Sequence, residues 1–437
     1  MIMFRSSVRD WRTSRSMRTV LGSLTLGLMG AAFSSGIASA ETGGCVNGEA
    51  QALIVSDVSG RLGVLGPSQS TASQTVIDLI NKDGGLLGCK VKLTIKDEQL
   101  DPAVAVRELK KAIATNKPNV VFGPTLSSSM LSMAKITNAQ GIPLFSGEGG
   151  DAQFVMDARE PGNYMAISTL YQDGRAAAKY LVESGKCKRY GFLYPDIVAG
   201  RDIVSAFRGQ LAESQPDAQI VVDQPYNLQN KDFGAIIQAI SSKSPDCVFG
   251  NLLGPDLGSV YKIWNQRKLD ILTMFYPDTA TLKAVGNGNL PANTYGVMRA
   301  NVKTMAATPV GREFTEAYKA ANNGAAPDEW AYAAASAVQM WASMVKAAGS
   351  FDYNALDTAA KKGGLTFDSV YGDGVEIMPN HQANAWSNVG PVVDDSELGH
   401  PYWSSDSKAM WTKDVIPQPL YEAILSGKTS TRWTSAQ

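Results

Sequence analysis

Residues 117–150 read KPNVVFGPTLSSSMLSMAKITNAQGIPLFSGEGG. Val120, Val121 and Phe122 form a short apolar run that suits a parallel strand covered on both faces, and Gly123-Pro124 stops it. Ser127, Ser128 and Ser129 stand where a helix begins, so hydroxyls and unbonded backbone N–H groups converge beyond the carboxyl end of that strand. Such a cradle suits a carboxylate or an amide oxygen. The same serines also serve as ordinary helix caps, and the sequence leaves both roles open. A further strand, Ile142 to Phe145, ends in the small-residue turn Ser146-Gly147-Glu148-Gly149-Gly150.

Outward from this stretch, short apolar runs alternate with amphipathic segments, the pattern of an α/β sheet with helical crossovers. Upstream lie the strands Ala52–Val55 and Val91–Ile95. A helix carrying Val76, Ile77, Leu79 and Ile80 separates them, and a second helix is introduced by Asp101 as N-cap and Pro102 at its first position. A second series starts near Tyr164, with strands Tyr190–Tyr194, Gln219–Val222 and Cys247–Gly250 between helices. The expected architecture is two doubly wound, Rossmann-like α/β lobes joined by several crossovers. Residues 45–165 with 296–348 are expected to form the N-terminal lobe, and 166–295 with 349–392 the C-terminal one. In that division the returning strand Thr294–Met298 and the long helix Ala331–Lys346 go to the first lobe, and Phe367 to Val392 finishes the second or braces the hinge. Residues 393–437 have tryptophans and prolines but weak periodicity, and are expected to wrap the surface.

The N-terminus points to export. Arg5, Arg9, Arg12, Arg15 and Arg18 precede an apolar segment from Val20 to Ile37, and Ala38-Ser39-Ala40 is a small-residue cleavage signal, so residues 1–40 read as a secretory signal peptide. No later stretch reaches the roughly 18 consecutive apolar residues of a membrane span, so no membrane insertion is expected after cleavage. The leader holds five Arg and one Asp, and removing it takes the net charge from −1 to −5. A mildly acidic chain with no basic block argues against nucleic acid as partner.

Four cysteines follow the leader, in an oxidising setting. Cys45 and Cys89 precede the first two strands, which are parallel neighbours in a doubly wound sheet. Cys187 and Cys247 stand at the starts of two strands of the second series. Four cysteines allow three pairings, and this placement favours Cys45–Cys89 with Cys187–Cys247. With no CxxC, no histidine-rich spacing and only His381 and His400 in the chain, no metal or other cofactor is expected.

The order of elements, together with NKDGGLLGCKVKLTIKDEQLDPAVAVRELKKAI, VVFGPTLSSS, GIPLFS, KDFGAIIQAI and VEIMPNHQANAWSNVG, resembles the type I periplasmic solute-binding proteins of ABC importers over about residues 50–392. The nearest branches are the leucine/isoleucine/valine-binding proteins and their urea- and short-amide-binding relatives. The resemblance implies a periplasmic protein that closes two lobes over a small polar solute (amino acid, amide or urea-like) and delivers it to a membrane permease. It also implies that Thr125, Ser127, Ser128 and Ser146 meet a carboxylate or amide oxygen from the first lobe, with Ser59 closing over the ligand. In place of the hydroxyl-bearing turn of the amino-acid binders stands SGEGG, whose Glu148-Gly149 is similar to the amide and urea branch. Second-lobe positions facing the cleft are then Thr169, Tyr171, Asp196, Asn251, Asp256 and Tyr276. Asp256 can equally cap the next helix, and Tyr171 can pack against the hinge.

An enzyme is the rival class. HExxH, a Walker loop, GxSxG and a dinucleotide GxGxxG after a strand are all absent, and the resemblance puts His381 on the hinge side rather than beside the serines. A secreted hydrolase is therefore the weaker reading. A receptor component that senses a ligand with the same fold is the stronger alternative to import.

Overall fold

In this computed structural model the apolar runs assemble into two sheets flanked by helices. The structure describes residues 45–60, 65–156, 160–230, 232–252 and 254–426. The expected leader and the end of the chain beyond residue 426 lie outside them. No helix among the described residues is long and apolar enough to cross a membrane.

The first sheet comprises β1 (Glu49–Ser56), β2 (Lys90–Asp97), β3 (Val120–Phe122), β4 (Leu144–Ser146) and β5 (Asn163–Met165). The order is β2-β1-β3-β4-β5, with every pairing parallel. Between the strands run α1 (Leu65–Lys82), α2 (Pro102–Thr115) and α3 (Ser127–Ala139). Asp101 caps α2 by accepting from the backbone N–H groups of Ala103 and Val104. Val120, Val121 and Phe122 are fully covered, as a central parallel strand requires.

The chain then builds α4 (Leu170–Ser184), β6 (Arg189–Pro195), α5 (Val198–Ser214), β7 (Gln219–Tyr226), α6 (Gly234–Ser241), β8 (Cys247–Phe249), α7 (Gly254–Gln266), β9 (Leu272–Phe275), α8 (Thr279–Val285) and β10 (Thr294–Met298). Here the structure corrects the expectation for Thr294–Met298. This strand pairs with β9 in the second sheet, Tyr295 opposite Met274, and not in the first. Its buried residues continue the parallel series of β6, β8 and β9, because a strand–helix–strand crossover returns to its own sheet.

Only after β10 does the chain cross back, through α9 (Val302–Ala307) and α10 (Pro309–Ala321) to α11 (Glu329–Ala348), which packs along α1, and α12 (Tyr353–Lys361). The hairpin β11 (Thr366–Ser369) and β12 (Gly372–Glu376) rests on α10 and α11, so this part of 349–392 sits with the first sheet. A last crossing leads to β13 (Trp386–Val393), antiparallel to β10. The extension is also more than a wrapping. Both β14 (Tyr402–Trp403) and β15 (Lys408–Trp411) pair with β13, Tyr402 and Trp403 are buried, and α13 (Thr412–Val415) and α14 (Gln418–Leu425) follow. Trp403, one of the residues that broke the periodicity, belongs to the core of the second sheet, and Trp411 is half-buried.

The disulfides are Cys45–Cys89 and Cys187–Cys247, with Cα atoms 6.4 and 5.9 Å apart. Each joins the beginnings of neighbouring strands, away from the carboxyl ends where the loops gather.

Candidate functional site

The carboxyl ends of the parallel strands of both sheets face one cavity of about 150 Å³, the place where loops and helix starts of an open α/β sheet converge. From the first sheet come Thr125, Leu126 and Ser127 after β3, and Glu148 and Gly150 after β4. From the second come Pro195, Ile197, Tyr226, Asn251, Asp256 and Tyr276. Arg299, on the crossover after β10, and Trp330, at the start of α11, complete the wall, and Leu65, Leu126, Leu170 and Ile197 make much of it apolar.

Local chemistry fixes each polar wall group. Thr125 and Leu126 donate their backbone N–H groups to buried Glu98 at 2.7 and 3.2 Å, which holds the loop that starts α3. The Thr125 hydroxyl is committed within the protein, accepting from the Asp57 N–H and donating to Gln69. Ser127 Oγ accepts from the Gly150 N–H at 3.2 Å, which leaves its own O–H to donate into the cavity. Glu148 Oε2 and Asn251 Oδ1 are buried with no hydrogen-bond partner among the described residues. Burial pushes the Glu148 carboxyl up to about 8, against the opposing pull of Arg299. Tyr226 donates to Asp256 at 3.0 Å, and both residues line the cavity.

Behind the wall, Asp173 in the first turn of α4 is fully buried and gathers four donors. These are Ser168 at 2.7 Å, Ser387 at 2.6 Å, Tyr276 at 2.9 Å and Arg299 Nε at 3.0 Å. Four donors match the lone-pair sites of a carboxylate. The guanidinium also reaches the Glu148 carbonyl through Nη1 at 2.6 Å. A Cβ at Gly150 would collide with Nη2, so this close approach requires a glycine.

Of the residues expected at the site, Thr125, Ser127, Glu148, Asn251, Asp256 and Tyr276 come together on the cavity wall. Ser59 does not. It is exposed and donates to Asp97 at 2.5 Å. Ser128 lies one position round α3 from Ser127 and off the wall, and buried Ser146 turns inward to the Gly149 carbonyl at 2.7 Å. Thr169 caps α4 in a capping box with Gln172, while Tyr171 is buried with Arg175 over its ring. Asp196 pairs with Arg201 in solvent. Arg299, Tyr226 and Trp330 were missed. Tyr226 and Arg299 each stand at the carboxyl end of a strand, a signal that finds both once β7 is extended and β10 is assigned to the second sheet.

A family model described as periplasmic binding protein matches residues 52–397. This chain belongs to the periplasmic binding protein family. Among relatives of this binding protein, an amino acid binding protein of Pseudomonas aeruginosa is 24% identical over 281 residues, 64% of this chain and 74% of that one. In fold, it is similar to an amino acid ABC transporter substrate-binding protein from Pseudomonas fluorescens Pf-5. The TM-score is 0.74 at 18% identity, covering 86% of this chain and 98% of that one. It is also similar to an ABC transporter solute-binding protein from R. palustris in complex with benzoate, with a TM-score of 0.69 at 20% identity, covering 83% and 95%. These similarities agree with the two-lobed type I architecture seen here.

Proposed function

We propose that this protein captures a small solute by closing its two lobes over the cavity and delivers it, chemically unchanged, to the permease of an ABC importer from the periplasm. The observation that carries the reading is a cavity lined from both sheets, with Glu148 and Asn251 on its wall and their buried Oε2 and Oδ1 atoms without a hydrogen-bond partner among the described residues. Leaving such atoms unmet costs about 1–3 kcal/mol each, and a solute bearing N–H groups meets them. In this reading Ser127 donates to the solute's carbonyl or carboxylate, and Asp256 and Tyr276 take further N–H contacts. Leu126, Leu170, Ile197 and Trp330 cover an apolar body. An amino acid or an amide with such a body fits these walls better than urea, which leaves them bare. The named relatives are an amino acid binding protein, an amino acid substrate-binding protein and a solute-binding protein in complex with benzoate, which fits a small solute with a carboxylate.

The lobes in this proposal are residues 45–165 with 302–376 and residues 170–298 with 386–411, with a cleaved leader at 1–40. The test is a thermal-shift and calorimetric screen of residues 41–437 against L-leucine, L-phenylalanine, their amides, benzoate and urea. A solute at 100 times its Kd raises stability by about 2.7 kcal/mol. A solute that binds equally well to the wild type, Ser127→Ala and Asn251→Ala overturns the site, and conversion of a bound amide to acid and ammonia overturns the non-catalytic reading.

A further inference from the structure

Asp202 lies on α5, one turn beyond Ala199 of the cavity wall, and α5 packs on β6 of the second sheet. Its carboxylate accepts the backbone N–H of Ala152, which follows β4 of the first sheet. Asp151, immediately before Ala152, is also buried and accepts from the Gln153 N–H at 2.9 Å. Two carboxyl groups from opposite sides of the cleft are thus brought together, and Oδ2 of half-buried Asp202 has no hydrogen-bond partner among the described residues. The titratable groups whose charges act on Asp202 include Asp151 from the turn after β4, Asp173 and Tyr171 from α4, and Arg299 from the crossover after β10. Arg299 already gives Nε to Asp173 and Nη1 to the Glu148 carbonyl.

We propose that this seam is a proton-binding site built by both lobes, at which Asp202, facing Asp151, takes up a proton as the cleft closes. Buried like charges disfavour joint ionisation, whereas an open cleft returns water to both groups. Burial, with Asp151 adding to it, pushes the Asp202 carboxyl up to about 7 in this structure. In an open cleft it titrates nearer the ordinary value of about 4. The closed form therefore binds the proton more tightly. Closure is favoured at low pH and weakens by up to about tenfold per unit as pH rises between those values.

The inference uses the movement of the lobes, part of the proposed function, but needs no solute. The test is small-angle X-ray scattering of ligand-free residues 41–437 from about pH 4 to about pH 8, spanning the expected transition. The wild type is expected to expand as pH rises, Asp202→Asn to lose that response, and Asp151→Asn to shift its midpoint. A wild-type radius of gyration that stays constant overturns the proton site, as does a response that Asp202→Asn leaves intact. Solute-induced thermal shifts at fixed pH report on capture separately, so failure of one reading is distinguishable from failure of the other.

Discussion

Ser127 and Ser128 are neighbours of one residue type at a helix start, yet only Ser127 is on the cavity wall. Ser127→Ala is expected to weaken solute binding by about 1–3 kcal/mol, and Ser128→Ala to leave it unchanged, by isothermal titration. Gly150→Ala is expected to weaken binding as well, because its methyl group displaces the Arg299 guanidinium. A Gly150→Ala protein with wild-type affinity would show that Arg299 does not shape the site. Strand ends were legible at this scale, but side-chain directions were not. Ser59 and Asp196 stand at the correct end of their strands and turn to Asp97 and Arg201. Thr169 and Tyr171 serve a cap and the packing of α4. Arg299 was missed because a lone arginine after an apolar run reads as solvated, and only the distant Asp173 makes it a buried wall group.

The strands and helices of both series follow from apolar runs, caps and glycine stops, and the cysteine placement anticipated both disulfides. Replacing Cys187 and Cys247 together by alanine should cost about 2–5 kcal/mol in denaturant unfolding, because the link closes a long loop of the unfolded chain. The fate of β10 was not legible. A five-residue apolar strand carries no mark of which sheet it joins, and its buried pairing with β9 and β13 decides it. The extension was misjudged for a related reason, since two short strands with aromatic residues have too little periodicity to read. Removal of residues 398–437 strips β14 and β15 from β13 and uncovers its edge. The shortened protein is expected to melt at lower temperature and to aggregate. An unchanged melting point would mean that these strands add nothing to the second sheet.

Across the whole molecule, several buried acids make stability depend on pH. Glu329 at the start of α11 accepts from the Thr279 hydroxyl at 2.5 Å and its N–H at 3.2 Å, and burial pushes its carboxyl up to about 8. Glu148 shifts the same way for the same main reason. A raised carboxyl binds its proton more tightly in the folded chain than in the unfolded one. Its stabilising effect is complete below the ordinary carboxylate range and is lost as pH rises through about 8. The melting temperature is therefore expected to fall from mildly acidic to mildly alkaline pH, and Glu329→Gln to flatten part of that slope in calorimetry. A steeper slope in the variant would contradict the assignment. What the sequence determined by itself were the local terms: strands, helices, caps, disulfide partners and the family pattern, each set by residues close along the chain. Only the tertiary structure decided which sheet claims β10, which of two adjacent serines meets the cavity, and that Arg299 and Asp173 share a buried site. Those outcomes depend on what packs against a residue from distant parts of the chain, and hydrophobic periodicity carries no record of that partner.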